Sequence, residues 1–313
     1  MTKMNTTFII NGGAGRVITA IPALEKYHRQ NPTDDFRIIV HGWESLYWSH
    51  PILQQRTIGI HQKEVFEQYI KPNKVICPEP YYQYEYYNQH ISLAEAFDRE
   101  INKTQDHSDL TKPNIYLSTY EKNSVKRIIQ EFKEKHNKSK VVVFQPYGST
   151  MQITNNRPYD SSHRSLDCDD YLFMLENLSN DCLIFFFGPR ELRHPGDKVS
   201  VDLQTVNTDL RMFMALISEC DYFIGCDSVG QHMARSFDKP GAIFMGSTFE
   251  KNVTYPKHFR IFRRPDKTPV YSPLRFGGVD SEFTDRLNDG IMAFTKTDLK
   301  HWCNIINHDI YSE

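Results

Sequence analysis

The stretch from Cys220 to Thr248, CDYFIGCDSVGQHMARSFDKPGAIFMGST, reads as strand, loop, helix, strand and loop. Tyr222-Phe223-Ile224 is an apolar run suited to a buried strand, and Gly225-Cys226-Asp227-Ser228 makes the polar turn after it. Gln231 to Phe237 has helical spacing, Lys239-Pro240-Gly241 stops that helix, and Ala242-Ile243-Phe244-Met245 forms a second buried strand. Ser228 is expected to cap the helix, whose free N–H groups and positive dipole end then face whatever lies above the strand ends. Such an end is a seat for a phosphate or diphosphate. The plainer alternative is an ordinary capped helix, with His232 a satisfied core histidine.

The same alternation fills the rest of the chain. Thr7-Phe8-Ile9-Ile10 is a short buried strand followed by the turn Asn11-Gly12-Gly13-Ala14-Gly15 and a helix from about Arg16 to Arg29. Strands follow at Phe36–Val40 and Lys74–Cys77. This β-turn-α-β order argues for a parallel sheet with helices on both faces. After the charged helix Glu121–His136 and the joint Asn137-Lys138-Ser139-Lys140, the pattern restarts with strands Val141–Phe144 and Leu183–Phe187. We place a boundary near residue 138, giving domains 1–138 and 139–280, with a helical tail 281–313 expected to pack back on the first domain. At 313 residues there is room for two cores.

Composition excludes several classes. A net charge of -2 gives no global field toward nucleic acid or acidic membranes. No run approaches 18 apolar residues, so no stable membrane insertion is expected. The six cysteines show neither CxxC nor metal spacing, and Cys182 and Cys220 lie in or beside apolar runs. Reduced, buried thiols in a cytoplasmic protein are expected. No Asp-x-Asp metal site is expected, since Asp167-Cys168-Asp169-Asp170 is more simply a helix start and Asp34-Asp35 a turn. Nor is the chain a nicotinamide dehydrogenase: from Gly13, Gly-Ala-Gly-Arg-Val-Ile lacks the third glycine, and Val40-His41-Gly42 offers no acid to a ribose.

Asp-Ser-x-x-x-His-x-Ala-x-Ser, then Lys-Pro-Gly and a strand ending Gly246-Ser247-Thr248, resembles the C-terminal half of the family 9 glycosyltransferases, the heptosyltransferase-like enzymes. Gly13-Ala14-Gly15-Arg16-Val17-Ile18, with Pro22 and Leu24 in register, resembles that family's N-terminal loop. The resemblance implies the GT-B architecture, two Rossmann-like doubly wound α/β domains facing across a cleft. It also implies transfer of a sugar from a nucleotide-diphosphate sugar by a single inverting displacement, with no cofactor or metal. Asp227, Ser228 and His232 would then hold the diphosphate, although the family's glycine after Ser/Thr is Val229 here and Gly230 comes one place later. Arg164 stands where the family has a phosphate-contacting lysine and can grip phosphate bidentately. Gly188 ends the strand from which Glu191 would reach the ribose, and Thr208 or Val206 would line the base. The alternatives are a solvated loop cation for Arg164 and a surface carboxylate for Glu191.

Arg16 replaces the aspartate that the family is proposed to use as base, and a guanidinium cannot accept a proton at working pH. Three readings follow. Glu44 or His41, at the tip of the second strand, takes over as base; Arg16 clamps an anionic acceptor or the departing diphosphate; or the domain binds sugar nucleotides without turnover. The acceptor is expected against the first domain, where Trp43, Tyr47, Trp48 and the Tyr81–Tyr87 cluster supply aromatic faces. A saccharide is the family's default, and a hydroxylated base in DNA is the runner-up. The run Lys257–Arg264 fits either a polyanion track or an edge strand.

Overall fold

The computed structural model describes residues 5–154, 157–188, 200–202, 210–270 and 288–312. The chain divides into two compact units, Met1–Ser118 and Thr119–Glu313.

The first unit runs β1 (Thr6–Ile10), α1 (Ala14–Thr19), α2 (Ile21–Gln30), β2 (Arg37–Val40), β3 (Thr57–Gly59), β4 (Lys74–Ile76), α3 (Tyr84–Tyr87) and α4 (Leu93–Asn102). Its four strands pair in parallel in the order β3-β2-β1-β4. The single helix expected over 16–29 is two helices that meet at Ala20. Pro22, in the first turn of α2, has no N–H with which to continue the α1 ladder. α2 carries a buried charged pair as well as its apolar face. Lys26 Nζ meets Asp98 at 3.1 Å and Asp109 at 2.6 Å, while Glu25 takes His50, Thr111 and Asn114. These bonds fasten residues 98–114 to α2.

The second unit opens with α5 (Thr119–His136), β5 (Lys140–Gln145) and the hairpin β6 (Gln152–Thr154) and β7 (Arg157–Tyr159). α6 (Cys168–Asn177), β8 (Cys182–Phe186), β9 (Ser200–Asp202), α7 (Leu210–Glu219), β10 (Tyr222–Cys226) and α8 (Val229–Ser236) follow. β11 (Gly241–Phe244), α9 (Glu250–Val253), β12 (Arg260–Phe262) and α10 (Lys296–Tyr311) complete it. Six parallel strands lie in the order β12-β11-β10-β5-β8-β9. Counted along the chain this is 6-5-4-1-2-3, the dinucleotide-binding order, which reverses between β5 and β10. Val141–Phe144, Leu183–Phe186 and Phe223–Cys226 are buried throughout, as parallel strands covered on both faces must be. The fold class is the expected one, two doubly wound α/β units.

Two expectations about organisation change, and one alternative left open is decided. The boundary falls at Ser118/Thr119 instead of 138, because α5 packs on α7 and Arg211 grips Glu121 with two bonds of 2.6 and 2.8 Å. The C-terminal helix is part of the second unit, not a return to the first: Leu299, Cys303, Ile306 and Ile310 of α10 join the core under α6 and the sheet. Lys257–Arg264 holds the edge strand β12, with Phe259 and Phe262 buried.

Candidate functional site

In open α/β sheets ligands bind outside the carboxyl ends of the strands, where the strand order reverses. In the second unit that place lies between the ends of β5 and β10. Gln145 ends β5 and is 2% exposed. Its amide reaches across to the start of α8, where Oε1 accepts the Gly230 N–H at 3.0 Å and Nε2 donates to Ser228 Oγ at 3.1 Å. Ser228 therefore holds the N-cap position without making a side-chain cap bond, contrary to expectation. Gln145 satisfies one amide of the helix end in its place. This docking needs a glycine at 230, since a Cβ there would collide with Gln145 Oε1 and come within 2.7 Å of the Phe223 ring. The N–H groups of Ser228, Val229 and Gln231 have no acceptor among the described residues.

Asp227 is buried beneath this turn. Oδ1 accepts from Gln231 Nε2 at 2.8 Å and Oδ2 from Thr248 Oγ1 at 2.9 Å. Burial pushes its pKa up, opposed by the Arg164 charge and by those two hydrogen bonds. Both oxygens are thus spent inside the protein, where they tie the β10 turn to the loop after β11. His232, one helical turn beyond Ser228, is 6% exposed, and burial lowers its pKa to about 4. Its Nδ1 lies 2.9 Å from the Tyr255 hydroxyl.

The loop after β7 closes the site from the other side. Asp160 accepts from Ser162, Ser165 and Thr150. Burial alone would raise its pKa, but these bonds hold the carboxyl below its ordinary range. The loop so fixed docks on the β11 end through Ser247 Oγ to the Ser162 carbonyl, 2.5 Å, and Ser247 N–H to the His163 carbonyl, 3.2 Å. Arg164 projects from it, half-buried, with Nε on Ser162 Oγ at 2.9 Å and Nη2 on Thr150 Oγ1 at 3.2 Å. Its charge acts on Asp227, so cation, turn and histidine share one end of the sheet. Gly188 follows β8 at the same strand-end level, packed against Phe186 and Tyr147. Glu191, Val206 and Thr208 lie outside the described residues.

In the first unit the strand order reverses between β1 and β4, and Arg16 spans that place. Nη1 meets Glu79 Oε1 at 2.8 Å and Nη2 the Pro78 carbonyl at 2.8 Å. The guanidinium lies over the Tyr81 ring at 4.9 Å, and its side chain is 9% exposed. Gly12, at φ +92°, turns the chain so that the Arg16 stem passes against it. Gly13 precedes α1 as N-cap and Gly15 lies within α1. His41 is exposed, its ring edge-on to His61 at 5.4 Å, and half-buried Glu44 folds back toward Gly42 N–H and Gly59. Of the expected aromatic faces, Tyr47 is fully buried, with its hydroxyl on the Val17 carbonyl, and Tyr86 is 1% exposed. Trp48, Tyr82 and Tyr84 do present open faces.

No family model and no curated protein matches the sequence. Solved structures do match. A family 9 glycosyl transferase from Veillonella parvula has a TM-score of 0.60 at 12% identity, covering 99% of each chain. The ADP-heptose LPS heptosyltransferase II of E. coli has a TM-score of 0.57 at 11% identity, covering 92% of this chain and 98% of that one. The iron-containing dodecameric glycosyltransferase TibC of enterotoxigenic E. coli has a TM-score of 0.63 at 12% identity, covering 99% and 78%. This chain has the GT-B fold of those glycosyltransferases. Gln145, Tyr255, Asp160 and Glu79 were not singled out from sequence. Gln145, Tyr255 and Glu79 act across 85, 23 and 63 residues, and of these only Gln145, a lone polar residue at the end of an apolar strand, left a local trace. Asp160 instead organises its own loop, with partners 2 to 10 residues away.

Proposed function

We propose that this chain is a glycosyltransferase that moves a sugar from a nucleoside-diphosphate sugar to a hydroxyl of a saccharide acceptor. The observation that carries the reading is the β5/β10 reversal, where the α8 amino end, Ser228, neutral His232 and Arg164 meet at the strand ends. The diphosphate would sit on the open N–H groups of α8 and the Ser228 hydroxyl, with Arg164 supplying charge and His232 a hydrogen bond. Fixed donors of this kind stabilise the negative charge that builds on the leaving diphosphate as the glycosidic bond breaks. Asp227 works from below, holding the turn and Thr248 in register. The reading includes single displacement with inversion, needing neither metal nor cofactor, in the cytoplasm. No described helix is long and apolar enough to cross a membrane.

The acceptor would lie against the first unit, its hydroxyl deprotonated by Glu44, His41 or Glu79. A saccharide is favoured over a DNA base because the cationic run 257–264 is taken up by strand β12, with its aromatics buried. Calorimetry against ADP, GDP and UDP and their sugars tests the donor site. One diphosphate should bind selectively, and Asp227→Ala and His232→Ala should each weaken it at least tenfold. Silence across the panel, or unchanged affinity in both variants, would end the glycosyltransferase reading. Tight binding without transfer or hydrolysis would instead mark a non-catalytic sugar-nucleotide binder.

A further inference from the structure

The contact between His232 and Tyr255 decides which ring nitrogen of the histidine carries the proton. Burial holds the imidazole near a pKa of 4, so the ring is neutral at physiological pH and has one N–H to place. Tyr255 follows α9, and burial raises the pKa of its phenol, so its hydroxyl keeps its proton. Arg235, the charged group felt by that hydroxyl, has donors only and cannot receive a hydrogen bond. Among the described residues the hydroxyl has a single polar partner, His232 Nδ1 at 2.9 Å. Were Nδ1 to donate, the phenolic proton would be left without a protein acceptor, a cost of about 1–3 kcal/mol when buried. The phenol therefore donates to Nδ1, and the imidazole proton must sit on Nε2. Nε2 has no partner among the described residues, and His232 lies one turn from Ser228 on the same face of α8.

We propose that Tyr255 is a positioning residue: by donating to Nδ1 it locks His232 as the Nε2–H tautomer, which presents an uncharged hydrogen-bond donor to a phosphate oxygen of the nucleotide. The ligand half of this statement rests on the diphosphate reading of the α8 end; the tautomer half does not. A neutral N–H suits such a site. It can bind a phosphate oxygen without the cost of burying an added charge.

The test is long-range 1H–15N correlation on the intact, ligand-free protein with labelled histidine, His232 being assigned by its loss in His232→Gln. The wild type should show the proton on Nε2 from pH 6 to 8, and a proton on Nδ1 would overturn the proposal at once. Tyr255→Phe keeps the ring and removes the donor. It should shift His232 toward the Nδ1–H form and weaken ADP about tenfold, the worth of one hydrogen bond at 1.4 kcal/mol. If Tyr255→Phe keeps both the Nε2–H signature and full ADP affinity, Tyr255 does not position the ring. A wild type that binds no nucleoside diphosphate overturns the ligand half together with the functional reading, while the tautomer half stands or falls on the spectra alone.

Discussion

Arg16 shows how one residue can be legible as a departure and illegible as a structure. Its place in the Gly13–Ile18 loop makes it, by the resemblance alone, a stand-in for an acid, and its charge excludes it as a base. That it would turn toward Glu79, 63 positions away, was not readable, because the pairing depends on β4 lying beside β1 in the sheet. The pair makes a prediction at this scale. Arg16→Asp would set a carboxylate against Glu79, remove the bond to the Pro78 carbonyl and leave the Tyr81 face without its cation. We expect a loss of about 1–3 kcal/mol in urea unfolding, part of which returns in Arg16→Asp/Glu79→Gln. ADP affinity should be unchanged in both, since Arg16 and its partners belong to the first unit. Full stability in the single variant would show that the ion pair contributes nothing, and a collapse in ADP affinity would place Arg16 at the donor.

Among the elements, α8 was the most readable and its capping the least. Apolar strands on either side, the Asp-Ser turn and the Lys-Pro-Gly stop are local signals, and they locate the helix to within two residues. Capping by Ser228 was the local expectation, and it failed because a better-placed amide arrives from β5. Gln145 can reach Gly230 only when β5 and β10 are neighbours, and 85 residues separate the two. Gly230→Ala tests this element. Helix propensity alone favours alanine by up to about 1 kcal/mol. The collision with Gln145 and Phe223 should outweigh that gain, so we expect a lower Tm and several-fold weaker ADP binding. A Tm equal to or above wild type would mean that the amide docking is dispensable.

At the scale of the whole molecule the two sheets place their strand-order reversals at β1/β4 and β5/β10, and the candidate residues collect at both. The division between the units bears directly on what can be expressed alone. A chain of residues 119–313 keeps α5, and with it the Glu121 carboxylate on Arg211, which is 4% exposed. A chain of 139–313 loses both, and it uncovers the face of α7 that α5 packs against. Removing one partner of a buried ion pair costs about 3–5 kcal/mol, a large part of the stability of an ordinary domain. We expect cooperative unfolding of the longer chain and its loss or marked weakening in the shorter. Equal stability of the two would return the boundary to residue 138.

The sequence by itself determined the α/β alternation, the buried strands and the turn at Asp227–Ser228, because apolar runs, glycines and prolines act over a few residues along the chain. It also carried the family pattern that the solved structures bear out at the level of the fold. Only the tertiary structure decided which unit owns α5 and α10, that Gln145 caps α8, that Arg16 is spent on Glu79 and that Tyr255 faces His232. Each of those contacts joins residues far apart in sequence. Such a contact is fixed by strand order and burial, and neither is written in any local window.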